Sequence, residues 1–204
     1  PIVERLTKEF ESASSLPEPE KKFCRIRAEQ VNNIKISIAR TPLTKFVSSQ
    51  DIENAVNAKK WINQKEFIDA IENGLAKARH SITSNDLDPI FRVFKTFLSD
   101  MNKNLILKSL SLLETIAKDA DKGVAKEVSV VAPGIVAAWA DQRATIREQA
   151  SKTADAFSVH STPSPFIKAF ITASFKANSD TRLEIVKWLH SHIDEIGQAD
   201  MEKI

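Results

Sequence analysis

Lys59-Lys60-Trp61-Ile62-Asn63-Gln64-Lys65 is a polar stretch that runs into an amphipathic helical pattern. The same register returns as Asp100-Met101-Asn102-Lys103-Asn104-Leu105-Ile106, Asp141-Gln142-Arg143-Ala144-Thr145-Ile146-Arg147 and Lys176-Ala177-Asn178-Ser179-Asp180-Thr181-Arg182. Self-similarity at about 40 residues is the signature of a HEAT-type array, whose unit is a helical hairpin that cannot bury its apolar face alone. The reading that follows is an all-α fold, a HEAT-repeat α-solenoid: a flat paddle of stacked hairpins with four turns aligned along one edge.

Working outward from the turns, the hairpins pair 49–58 with 63–79, 86–98 with 103–119, 123–140 with 143–158 and 163–175 with 180–195. In the first, Phe67, Ile68, Ile71 and Leu75 recur at helical spacing and form one apolar stripe. In the second, Asp86 or Asp88 is placed to cap the first helix, with Pro89 in its first turn. Its partner helix carries Leu105, Leu107, Leu110, Leu112, Leu113 and Ile116. That is apolar nearly all round, as expected of a helix packed on both neighbours. Pro133 is expected to bend the first helix of the third hairpin. Residues 1–48 do not share the register, with breaks at Ser14–Pro19 and Arg40-Thr41-Pro42, and read as an N-terminal helical extension capping a repeat domain over 49–204. No alternation long enough for a strand is evident.

Composition narrows the function classes. Four glycines in 204 residues argue against Gly-rich phosphate loops and suit helices. A formal charge of +2 is too near zero to direct the chain to nucleic acid or membrane. Cys24 is the single cysteine, so no intrachain disulfide and no Cys-rich zinc site can form, and a reducing compartment is expected. No apolar run reaches the length of a signal or spanning segment. The opening Pro1, without Met, reads as the start of an excised segment. His190-Ser191-His192 sets two imidazoles on different helix faces, unsuited to sharing a metal. No nucleophile motif appears. The expectation is a binding protein rather than an enzyme, with no cofactor.

The aligned turns are the candidate site, because loops on a rigid scaffold commonly carry function. They present Lys59, Lys60 and Trp61, then Asn102 and Lys103, then Arg143, then Lys176 and Asn178. Trp61 lies where the chain is turning and reads either as a binding anchor or as a plug folded into the core, the fate expected of Trp139 and Trp188. Asp141 and Arg147 read as a structural cap with an inter-repeat ion pair. Arg143 points outward, as a contact or as a solvated charge.

The Lys59-Lys60-Trp61 turn, followed by Gln64-Lys65-Glu66 and the return to Asp100-x-Asn102, resembles the opening of a TOG domain. Asp141 with Ile146 and Arg147, and Asn178 with Arg182 leading to Leu183, Val186, Trp188 and Leu189, resemble later repeats of such domains. The likeness covers about residues 49–197. It implies a tubulin-binding module of a microtubule-regulating protein of the Stu/Msps/ch-TOG type, with CLASP-type proteins as siblings. The implied partner is αβ-tubulin at microtubule ends, with centrosome or kinetochore adaptor proteins beside it. The implied location is cytoplasmic, on the cytoskeleton and spindle. By register, Trp61 would make an apolar contact with β-tubulin, and Lys59, Lys60, Asn102, Lys103, Arg143, Lys176 and Asn178 would line the same edge. A complete TOG domain has more repeats than the four legible here, and residues 1–40 align with none of them. The rival expectation is a HEAT scaffold whose partner is another protein.

Overall fold

A computed structural model describes residues 40–57, 61–159, 166–167 and 179–193, without the side chains of Trp61 and Asp180. The chain divides into two compact units, Pro1–Ala39 and Arg40–Ile204. The first lies outside the described residues. The second begins earlier than the expected boundary at 49, because Leu43 and Val47 are buried in its core. Residues 41–48 therefore belong to the folded unit and not to an extension.

That unit is mostly helical. In order it contains β1 (Thr41–Pro42), a 3-10 turn at Leu43–Lys45, α1 (Ser49–Val56), α2 (Trp61–Lys77) and β2 (Ile82–Thr83). Then come α3 (Asp88–Leu98), α4 (Lys103–Asp119), a second 3-10 turn at Lys122–Lys126, α5 (Val128–Ala138), α6 (Ala144–Ser158) and α7 (Ser179–Ser191). Sequence periodicity anticipated these helices to within a few residues, with three local corrections. Helix α2 starts at Trp61, so this residue sits in the first helical turn and not ahead of it. Neither Asp86 nor Asp88 caps α3: Leu87 occupies the cap without a side-chain bond, Asp86 takes a left-handed φ of 65°, and Asp88 pairs with Arg92. The 123–140 segment breaks after the 3-10 turn and resumes at Val128, with Pro133 inside the resumed helix.

Helix α1 is opened by a capping box, in which Ser48 and Asp51 satisfy each other's backbone N–H groups, worth about 1 kcal/mol. The first six helices pack in hairpin pairs, α1 with α2, α3 with α4 and α5 with α6, and each of them packs on the helix at the same place in a neighbouring hairpin. Helices α1, α3 and α5 adjoin in sequence, and so do α2, α4 and α6. The continuous apolar face of α4 follows from this, since it meets α2 on one side, α6 on the other and α3 beneath. Leu110, Leu113 and Ile116 are wholly buried. Phe67 of α2 meets Phe94 and Phe97 of α3 edge-on at 5.9 and 5.8 Å. Thr153 of the buried α6 face donates its hydroxyl to the Leu110 carbonyl, 3.0 Å away in α4. Gly134 lets α3 and α5 approach closely, because a Cβ there would stand 2.8 Å from that of Leu98. Trp139 and Trp188 are buried as expected, with ring centroids 6.2 Å apart, and Trp188 donates its indole N–H to Asp155 at 2.8 Å.

Short strands do occur, and local patterning gave no sign of them. Thr41 pairs with Ile82 and Pro42 with Thr83 in parallel, and Ile82 bridges onward to Ala120. These residues lie in the connections between hairpins. Two-residue strands are too short to alternate visibly; only the stacking of the hairpins brings them together. Arg79 and His80, leading into β2, both hold left-handed φ values, 52° and 54°. For non-glycine residues this conformation costs about 1–2 kcal/mol each.

Candidate binding edge

The two ends of the hairpins form two different edges. On the first run the turns within hairpins. Residues 58–60, including Lys59 and Lys60, and residues 168–178, including Lys176 and Asn178, lie outside the described residues, as does the Trp61 side chain. The expected exposure of Trp61 and the alignment of the fourth turn lie there too. The second and third turns are traceable, and the first only at Asn57 and from the start of α2 onward.

Asp100 opens the second turn. Its Oδ1 accepts the Asn102 backbone N–H at 2.7 Å, the local bond by which Asp initiates a turn, and its Oδ2 accepts the amide of buried Gln64 at 3.1 Å. Asp141 repeats the device in the third turn. Its Oδ1 accepts the Arg143 N–H at 2.9 Å, and its Oδ2 pairs with Lys103 Nζ at 2.6 Å. Each aspartate thus closes its own turn with one oxygen and holds the preceding hairpin with the other. Arg147 completes the third turn by donating Nη1 to the carbonyls of Asp141 and Gln142. Of the roles expected of Asp141 and Arg147, an inter-hairpin ion pair is present, between Asp141 and Lys103; α6 has no side-chain cap, its N-cap being Arg143, and Arg147 holds the carbonyls of the turn instead of an acid. Burial pushes the Asp141 carboxyl up, but Lys103, the Arg143 amide and the Arg143 charge outweigh it and hold the group below the ordinary carboxylate range.

Two of the expected contact residues are therefore partly occupied within the fold. Asn102 caps α4, its Oδ1 accepting from Asn104 and Leu105. Lys103 is committed to Asp141. Arg143 is different: its guanidinium is exposed and makes no hydrogen bond or ion pair among the described residues. One residue was missed by sequence reasoning. Met101, at the tip of the second turn, is 93% exposed. Its register position holds Lys60 in the first turn and Gln142 in the third, so the periodic pattern gave no signal of an apolar group. Ile62, half-exposed, stands next to Trp61 at the start of α2. Between these turns a groove of about 380 Å³ opens across α2 and α4, lined by Gln64, Ile68, Asp69, Asn102, Leu105 and Lys108 among others.

Ser191, His192 and Asp155 come near one another, yet Ser191 Oγ and His192 Nδ1 both close on the Trp188 carbonyl, at 2.8 and 2.9 Å. His192 stacks flat on the Trp188 ring at 4.0 Å. Ser191 Oγ and His192 Nδ1 also lie 3.0 Å apart, and the group finishes a helix and packs a tryptophan. Among the described residues no cluster of three or more His, Cys, Asp or Glu could hold a metal, and no helix is long and apolar enough to cross a membrane. No protein-family model matches the chain, and no curated protein sequence matches it.

Proposed function

We propose that the unit Arg40–Ile204 forms a HEAT-type α-solenoid acting as a TOG-like tubulin-binding module of a microtubule-regulating protein. The observation that carries this reading is the linking of α2 to the second turn through Gln64–Asp100, and of the second hairpin to the third turn through Lys103–Asp141. A rigid edge of this kind offers Met101 and Ile62 as apolar groups and Arg143 as an uncommitted cation. Lys59, Lys60, Trp61, Lys176 and Asn178 join them by register. Tubulin's acidic surface would be met by the basic groups, with charge steering association and salt weakening it. Location on cytoplasmic microtubules is part of the same proposal. The test is co-elution of the 204-residue chain with unpolymerised tubulin at low ionic strength. Absence of a complex at micromolar concentration, from a chain that melts cooperatively, would refute it.

A second reading rests on Leu183, Val186 and Ile193, which are half-exposed on and just beyond α7. They favour a HEAT scaffold that meets a protein partner through a helical face. Binding to tubulin that survives Trp61→Ala and Arg143→Ala but fails with Val186→Lys would move the contact from the turns to that face.

A further inference from the structure

The groove between α2 and α4 holds polar groups that the fold itself leaves unused. Its floor is apolar, made by Ile68 of α2 and Leu105 of α4, both buried. Gln64 lines it beside them with only 9% of its surface exposed. The direction of that amide is fixed. A carboxylate oxygen can only accept, so the end of Gln64 that meets Asp100 Oδ2 at 3.1 Å is Nε2. The carbonyl Oε1 is the other end, and it accepts no hydrogen bond among the described residues. Among those residues the side-chain polar atom both sealed from solvent and unpartnered is Ser109 Oγ. Gln64 Oε1 is therefore not sealed, and the groove is the open space that Gln64 faces.

The charges of the same lining are an independent observation. Lys108 Nζ is paired with Glu72 at 2.8 Å, and Lys65 is engaged in an interaction of its own. Asp69 is exposed and makes no ion pair or hydrogen bond among the described residues. Both cations of the lining are thus spoken for, and its one carboxylate is not. The remaining polar groups, Asn102 and Asn104, are exposed and uncharged. What the groove leaves open is an apolar floor, a buried acceptor and an anionic acceptor.

We propose that this groove is a pocket for an arginine side chain presented by a polypeptide partner. The methylene stem covers Ile68 and Leu105, and the guanidinium, which only donates, supplies N–H groups to Gln64 Oε1 and to the Asp69 carboxylate. An acidic side chain has no donor for either oxygen and is repelled by Asp69. A lysine carries one compact, strongly hydrated ammonium, less suited to serving two acceptors while its stem lies on the floor. A purely apolar side chain would cover the floor and leave Gln64 Oε1 buried without a donor. The groove adjoins the second turn at Asn102, so a polypeptide docked on the turn edge reaches it. The assignment does not rest on that polypeptide being tubulin.

The experiment is an NMR titration of the isotope-labelled 204-residue chain with N-acetyl-arginine amide, followed at the side-chain amides of Gln64, Asn102 and Asn104. Binding is expected at about 1–10 mM, the affinity that one side chain of this size supports, with the Gln64 amide shifting most. N-acetyl-citrulline amide has nearly the same shape without the charge and should bind at least about fivefold more weakly. Asp69→Asn should weaken the arginine compound about threefold and narrow its lead over citrulline. Because Asp69 is exposed and unpaired in the fold, that variant should melt like the parent. Arg143→Ala should change nothing. No shift at tens of millimolar would overturn the proposal, as would equal binding of citrulline or full binding by Asp69→Asn. Tighter binding of N-acetyl-tyrosine amide would also overturn it, by giving the floor and Gln64 Oε1 to a phenol. None of these outcomes involves tubulin, so failure here leaves the turn-edge reading standing.

Discussion

The two edges solve one problem, holding adjacent hairpins in register, with different chemistry. On the turn edge the links are made by side chains, Gln64 with Asp100 and Lys103 with Asp141. On the opposite edge they are mostly backbone: Thr41 N–H donates to Ser81, the strands pair, and Asp121 accepts the N–H groups of Ser84 and Gly123. A side-chain link can change partner or be screened by salt without moving the chain. A backbone link fixes the chain path and demands close approach. Gly123 shows this, because a Cβ there would lie 2.0 Å from Ser84 Oγ. The turn edge is therefore free to vary its surface chemistry, whereas the ladder edge is constrained by its own geometry.

That contrast can be attacked from the core outward. Leu110→Ala removes a fully buried side chain of α4 and should cost about 2–5 kcal/mol by opening a cavity. Both edges depend on α4, so a denaturant melt should show one cooperative loss. Selective disorder of one edge, seen as hydrogen exchange confined to one set of loops, would show that they are not mechanically joined.

Next in size is the ladder edge itself. Gly123→Ala should destabilise by about 1–3 kcal/mol, because Ser84 and Asp121 must both shift. A neutral melt would mean that the loops tolerate displacement and that the backbone-linked edge is not the stiffer one.

For the turn edge, Trp61→Ala should weaken tubulin binding by about 2 kcal/mol or more while leaving the melt little changed, if the indole is the anchor of the proposed interface. Full binding with an unchanged melt would favour the scaffold reading. A large drop in the melt would return Trp61 to the core.

A smaller effect separates the carboxylates. Asp141 is held below its ordinary range, against the upward push of burial, by Lys103, the Arg143 amide and the Arg143 charge. Asp121 is likewise lowered against burial, by Ser84, the Gly123 and Ser84 amides and the Arg40 charge. A depressed carboxyl stabilises the fold above its unfolded value, and that contribution disappears as pH falls through the folded value. Acid titration should therefore unfold Asp141→Asn and Asp121→Asn less steeply than the parent. At neutral pH the Asp141→Asn loss is about 1 kcal/mol, since Lys103 is well exposed and solvent screens the pair. Added salt should erase part of the Asp141 contribution and little of that of Asp121; equal salt sensitivity would contradict the side-chain and backbone division. Smallest of all, Arg143→Ala should act mainly on the rate of tubulin association, with a penalty that shrinks at high salt. A loss confined to the dissociation rate would make Arg143 an anchor rather than a steering charge.

How much of this was legible differs sharply along the chain. The stripe Phe67, Ile68, Ile71 and Leu75 announced α2, and Leu105 to Ile116 announced a helix with neighbours on several sides, because helical burial writes itself at three- and four-residue spacing. The start of α2 was misjudged by two residues, since caps depend on single residues and not on periodicity. Met101 was missed because one exposed apolar residue interrupts no pattern.

By itself the sequence determined the helices, the hairpin register and the recurrence of a polar turn with an aspartate at residues 100 and 141. These are local properties, set by side chains that meet within a few residues of one another. Only the tertiary structure decided that Lys103 joins Asp141 instead of facing outward. It also decided that Thr41, Ile82 and Ala120 form a ladder with Arg40 beside Asp119. Those partners lie about forty residues apart along the chain, and Arg40 and Asp119 are 79 apart. No local pattern encodes such a pairing; it exists once the apolar faces of successive hairpins have stacked and brought the connecting segments within hydrogen-bonding reach.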